Sequence, residues 1–198
     1  MLPVIGGTAS QVLLPDALSQ ETAFTNNSDG PVFVTVSVTG SPSSAPVPMA
    51  KGFTIEKRIY SLSGEEVDLE TLQQNDRLAV VISGEAIEAR INPSIIADLL
   101  PAGFEIEAVL RPEDGRRANR QGAYAWIGKI SQLKLAEARD DRFIAALDLR
   151  NETFTAAYIV RAVTPGDFAI PGAVIEDMYR PGVAARSAAG RINIRASE

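Results

Sequence analysis

The sequence predicts an all-β fold, an antiparallel β-sandwich with an N-terminal β-strand extension, and three observations predict it. Short apolar-rich segments recur with period-two alternation, Gly, Pro, Asn and Asp turn signals separate them, and helix-forming stretches are scarce. The chain has 198 residues, 45% of them apolar and 22% charged, which suits one globular domain plus an appended piece.

The first element is the extension. Val32, Val34, Val36 and Val38 alternate with Phe33, Thr35, Ser37 and Thr39, which places the valines on one face of a strand. That face wants a core. From Gly40 to Pro48, proline and serine dominate; such a stretch cannot maintain a ladder of backbone donors and reads as an extended connector. We place a boundary there, dividing residues 1–50 from residues 51–198.

The second part opens with a strand from Phe53 to Ser61 and a turn at Ser63-Gly64. A strand from Arg77 to Ser83 follows, with Leu78, Val80 and Ile82 sharing a face. Further strand-like segments span Ile91 to Ile96, Phe104 to Leu110, Ala125 to Ile130, Phe143 to Leu149 and Thr155 to Val163. Two short ones lie around Phe168 to Ile170 and Arg191 to Ile194. Only Leu133 to Asp140 is rich in helix formers, and because it lacks an apolar stripe one helical turn at most is expected there. Tyr124 and Trp126 stand two apart, on one face of a strand, and Trp126 reads as a core residue.

Composition removes much chemistry. The chain contains neither Cys nor His, so it can form no disulfide, no thiolate nucleophile, no Cys or His zinc site and no Ser-His relay. A formal charge of −6 offers no footprint for nucleic acid, and the Arg111, Arg116, Arg117 and Arg120 cluster, diluted by Glu113 and Asp114, reads as a solvated loop. No apolar run reaches the length of a membrane span, and residues 1–7 lack the form of a secretion signal, so a signal for export would lie outside this chain. No DxDxDG-like loop gathers the acids, Asp98 and Asp177 included, into a calcium site. The expectation is a non-enzymatic chain with no cofactor, no metal, no nucleic-acid partner and no direct membrane insertion.

Three stretches stand out. Arg139-Asp140-Asp141-Arg142 sets two carboxylates side by side, but neighbours on a strand point to opposite faces, so the pair reads as a strand entry held by Arg and turn amides. At Leu99 to Glu105 an apolar run breaks at Pro101 and Gly103 and resumes at Phe104. The third runs from Val163 through Pro165-Gly166 and Ile170-Pro171 to Pro181, where Met178 and Tyr179 sit between prolines in what reads as a surface loop able to cover something.

The motifs DLLPAGFE (98–105), RDDRFIAAL (139–147), YIVRAVTPGDFAIP (158–171) and EDMYRP (176–181) resemble the C-terminal macroglobulin-like domain of bacterial alpha-2-macroglobulins. The likeness covers most of residues 51–198, and residues 24–42 are similar to the segment that completes the CUB-like domain in that family. The resemblance implies a β-sandwich and a parent that inhibits proteases by trapping them, with a thioester held in a separate domain; lacking Cys, this chain cannot hold that bond. It also implies that Met178 and Tyr179 shield the thioester, that the partners are the thioester and CUB-like domains and, indirectly, target proteases, and that the setting is periplasmic. Lipoprotein anchoring of the parent to the inner membrane stays open. The alternative is a free-standing Ig-like or fibronectin-like module for adhesion or carbohydrate binding.

Overall fold

The computed structural model describes residues 12, 23–37, 39, 46–112 and 124–197. Two compact units are present, Met1–Ser41 and Pro42–Glu198. In the first, residues 31–37 form no strand, and Val32, Phe33, Val34 and Val36 are exposed. This corrects the expected strand at Val32 to Val38, of which Val38 lies outside the described residues. Period-two alternation supplies a face, but a strand also needs a ladder partner, and no described residue provides one. Asp114-Gly115, Arg116, Arg117 and Arg120 also fall outside the described residues.

The regular structure described in the second unit is almost entirely β-strand. β1 (Met49–Lys51), β12 (Arg180–Arg186), β11 (Val174–Asp177), β5 (Asn92–Leu99), β8 (Arg142–Leu149) and β7 (Leu135–Ala138) form a six-stranded antiparallel sheet in that order. β2 (Phe53–Ser61), β4 (Arg77–Ala86), β9 (Thr153–Ala162) and β6 (Phe104–Leu110) form a four-stranded antiparallel sheet. A small third sheet joins β10 (Gly166–Ile170), β13 (Gly190–Arg195) and β3 (Leu72–Gln73), with β13 and β3 parallel.

Strand alternation builds the core. Phe53, Ile82, Phe154 and Tyr158 from the four-stranded sheet meet Ile96, Phe143 and Ile175 from the six-stranded one, all essentially free of solvent. Leu72, Ile170, Ile192 and Ile194 of the small sheet join the same core. Strand β5 is unusual, because its buried positions are Asn92, Ser94, Ile96 and Asp98, while Ile95 is only half-buried. Polar groups therefore line most of the inner edge of a central strand, and each must find a partner there.

Three local expectations change. Leu135–Ala138 pairs with β8, Leu135 opposite Ala146 and Ala138 opposite Phe143, so the helical turn expected within 133–140 is an edge strand; a ladder partner outweighs a weak helix propensity. Tyr124 and Trp126 lie at a single 3-10 turn, Ala125–Ile127, rather than on a strand face. Trp126 is half-buried, packed edge-on to Tyr60 at 5.0 Å and donating from Nε1 to the Leu62 carbonyl at 3.0 Å. This segment caps a second, smaller cluster of Ala79, Leu110, Ile130, Ala157 and Ile159, which is why it leaves the ladder. Finally, residues 174–186 form a hairpin, β11 and β12, where the sequence reads as a loop.

The β11–β12 turn as candidate functional site

Ile175 and Asp177 are the inward residues of β11, paired across the ladder with Ile96 and Ser94 of β5. The chain then reverses over Met178 and Tyr179 and re-enters the sheet at Arg180, opposite Asp177. The turn brings together a buried carboxylate, a half-buried guanidinium and two exposed apolar side chains.

Asp177 is 3% exposed and uses both carboxylate oxygens. Oδ1 accepts the Tyr179 backbone N–H at 2.9 Å, while Oδ2 accepts Arg180 Nε at 3.1 Å and Nη2 at 2.7 Å. Burial pushes this carboxyl up, but the hydrogen bonds from Arg180 and from the Tyr179 amide, with the Arg180 charge, outweigh it and hold the group below the usual carboxylate range. Arg180 reaches further, donating through Nη1 to Glu88 Oε2 at 2.7 Å and through Nη2 to Asn92 Oδ1. The Met178 N–H donates to the Pro93 carbonyl at 2.8 Å. Neither Met178 nor Tyr179 has a positive φ, so the turn is free of left-handed strain.

The side chains of the turn point away from all this. Tyr179 is 80% exposed and Met178 45% exposed, so neither serves this domain's own core. A polar clamp holds the backbone while the apolar pair faces outward. Gly52, between β1 and β2, belongs to the support: its φ is +78°, its carbonyl accepts the Ile87 N–H, and a Cβ there would lie 2.5 Å from Val183 of β12.

The other marked residues are elsewhere. Pro101 and Phe104 close a turn through a 3.0 Å bond from the Phe104 N–H, and a Cβ on Gly103 would strike Ile194 and Phe168 at 2.6 Å. Pro165 and Gly166 lead into β10, with Gly166 at φ +144°. Residues 139–141 form the β7–β8 turn rather than part of a strand, and Arg142 opens β8. There Arg142 grips Asp141 through Nε at 2.9 Å and also through Nη2, which lowers the Asp141 pKa, and Arg139 pairs with Glu137 at 3.1 Å. Asp140 is exposed beside them. None of these residues joins the β11–β12 turn, and their contacts are those of folding.

Sequence reasoning singled out Met178 and Tyr179 but not Arg180, Glu88 and Asn92, whose side chains support the turn that carries them. One signal was available: Asp177 and Arg180 bracket the apolar pair, the arrangement of a hairpin whose ends are ion-paired.

A second polar cluster lies in the core, where Lys57 Nζ meets Asp98 Oδ1 at 2.6 Å and Tyr158 donates to Asp98 Oδ2 at 2.6 Å. Lys57 also donates to the Pro171 carbonyl at 3.2 Å, and Tyr158 stacks on Phe143 with centroids 4.7 Å apart.

Comparison with known proteins gives the family. Residues 52–182 match the family described as the bacterial alpha-2-macroglobulin MG10 domain. Alpha-2-macroglobulin of Escherichia coli strain K12 is 31% identical over 169 residues, covering 83% of this chain and 10% of that protein. The crystal structure of native E. coli alpha-2-macroglobulin from domain MG7 to the C-terminus aligns with a TM-score of 0.68 at 31% identity, over 79% of this chain and 25% of that one. Salmonella alpha-2-macroglobulin reacted with methylamine aligns with a TM-score of 0.65 at 31% identity, over 78% of this chain and 10% of that one. This chain therefore spans about a tenth of the length of the curated relatives it matches.

Proposed function

The chain belongs to the bacterial alpha-2-macroglobulin family, and from that premise we propose that it is a non-enzymatic domain whose β11–β12 turn covers a reactive acyl group on a neighbouring domain of its parent. The observation that carries this reading is the contrast at the turn, where an exposed Met178–Tyr179 pair rides on a backbone clamped by buried polar groups. An activated ester survives only where apolar cover keeps water and amines away, and a cover presented on a fixed turn can be withdrawn when domains move. Residues 51–198 are then the MG10 domain and residues 1–50 the end of a CUB-like domain with its linker. The parent is a periplasmic protease inhibitor that traps proteases by rearrangement, and the acyl group is a thioester. That a Salmonella relative has been reacted with methylamine, a small amine, agrees with this chemistry. A carbohydrate platform fits less well, since Trp126 packs against Tyr60 and Gly64 with its Nε1 donated to Leu62.

The test is made in the full-length parent. Tyr179→Ala and Met178→Ala are expected to raise the rate of thiol release by methylamine by about tenfold or more, as apolar cover is removed. Equal rates in variant and parent, or a parent that releases no thiol with methylamine, overturn the reading.

A further inference from the structure

Arg180 holds more of this molecule together than its place at the end of a turn requires. Its guanidinium donates to Asp177 on β11, Glu88 on the connection between β4 and β5, and Asn92 at the start of β5. The acceptors are themselves tied down. Asn92 is 1% exposed, and its Nδ2 donates to the carbonyls of Arg90 at 2.9 Å and Leu149 at 3.3 Å. The connection bearing Glu88 is anchored where it leaves β4, by the Ile87 N–H on Gly52 and by the Glu88 carbonyl, which accepts the Asn151 N–H, each at 3.0 Å.

A continuous path runs from Glu88 and Asn92 through Arg180 to Asp177, and from the second oxygen of Asp177 to the Tyr179 amide. Only a planar fork of donors serves these acceptors together, because a lysine ammonium is a compact point charge on a flexible stem. The Tyr179 side chain at the end of the path stays 80% exposed, so the path holds the backbone of a residue that adds little to the packing of its own domain. The anchoring connection carries two further exposed apolar residues, Ile87 and Ile91, immediately beside Glu88 and Asn92.

We infer that Arg180 is the positioning residue of the cover: by holding Asp177 against Glu88 and Asn92 it sets the direction in which Met178 and Tyr179 are presented, and it joins the β4–β5 connection to the same docking end. The inference rests on the covering role proposed above and assigns the geometry of that cover to a residue that touches neither the acyl group nor its attacker.

The test uses two variants chosen to fold. Arg180→Lys keeps the charge and removes the fork, while Glu88→Gln keeps an acceptor and removes one charge. In the 198-residue chain, Arg180→Lys is expected to speed hydrogen exchange of the Met178 to Arg180 amides by about tenfold while amides in β4 and β9 keep their protection, the signature of a local opening. Glu88→Gln moves the same amides by a smaller factor. In the full-length parent, Arg180→Lys with Tyr179 intact accelerates thiol release by methylamine. Turn amides that exchange as in the unaltered chain overturn the inference, as does a rise shared equally by β4 and β9. So does an unchanged methylamine rate where Tyr179→Ala is accelerated. If Tyr179→Ala itself has no effect, the covering role fails instead, and the exchange comparison still decides whether Arg180 fixes the turn.

Discussion

Asp98 and Asp177 are both buried, both meet a cation and both accept a further hydrogen bond, yet the fold treats them oppositely. Asp98, with no exposed surface, lies between the two main sheets with Lys57 and Tyr158 as partners. Burial dominates there and pushes its carboxyl up, with Lys57 and the Tyr158 hydroxyl offsetting only part; the same burial, helped by the Asp98 charge, pushes the Tyr158 phenol well up. Asp177 sits at a sheet end where Arg180 supplies two donors and the Tyr179 amide a third, and its carboxyl is held down. A carboxylate that costs free energy to ionise locks the two sheets in one relation. One that is comfortable ionised can hold a turn at the surface, so the first cluster ties the two sheets together and the second ties the β11–β12 turn to its sheet end.

The largest expected effect that could break this contrast is in the core. Asp98→Ala leaves Lys57 buried without its carboxylate partner and should cost about 3–5 kcal/mol in denaturant unfolding, whereas Lys57→Met with Asp98→Leu and Tyr158→Phe, which removes every member of the cluster, should recover most of that loss. A single-variant loss below about 1 kcal/mol would mean that the cluster is not a lock.

Acid titration sharpens the contrast by its sign. Asp177, depressed in the folded state, contributes stability above the ordinary Asp range near about 3.9, and that contribution is lost as pH falls through its lower folded value. Asp98, raised, contributes most below that range, and its contribution declines as pH rises through its higher folded value. Carboxyl carbon NMR should therefore show Asp98 titrating above Asp177, and the reverse order would remove the physical distinction between the clusters.

The smallest effect belongs to the presented side chains. Tyr179→Ser and Met178→Ser should change stability by no more than about 0.5 kcal/mol, as for exposed positions generally. A larger loss by thermal unfolding would show that the pair packs on its own domain after all.

The apolar-rich strands were legible: β2, β4, β8 and β9 lie where runs of apolar residues between turn signals placed them. The edge strand β7 was not, because LAEA carries no alternation of its own and becomes a strand only by pairing with β8. β5 misleads in another way. Its inner face is Asn92, Ser94, Ile96 and Asp98, so a rule that turns apolar residues inward would choose the wrong register. At the site, Met178 and Tyr179 were legible through their motif and their prolines, but Glu88 and Asn92 lie 92 and 88 positions from Arg180, and no local pattern joins them.

What the sequence alone determined is the class of fold and the exclusion of thiol and imidazole chemistry: alternation and turn residues act over a few positions, and a chain without Cys or His carries those exclusions into any conformation. The tertiary structure decided which carboxylate became a lock and which a clamp, and that an apolar pair near the end of the chain would stand exposed on a fixed turn. Both depend on desolvation and on the direction of donors, and these exist only once strands distant in sequence have been brought together.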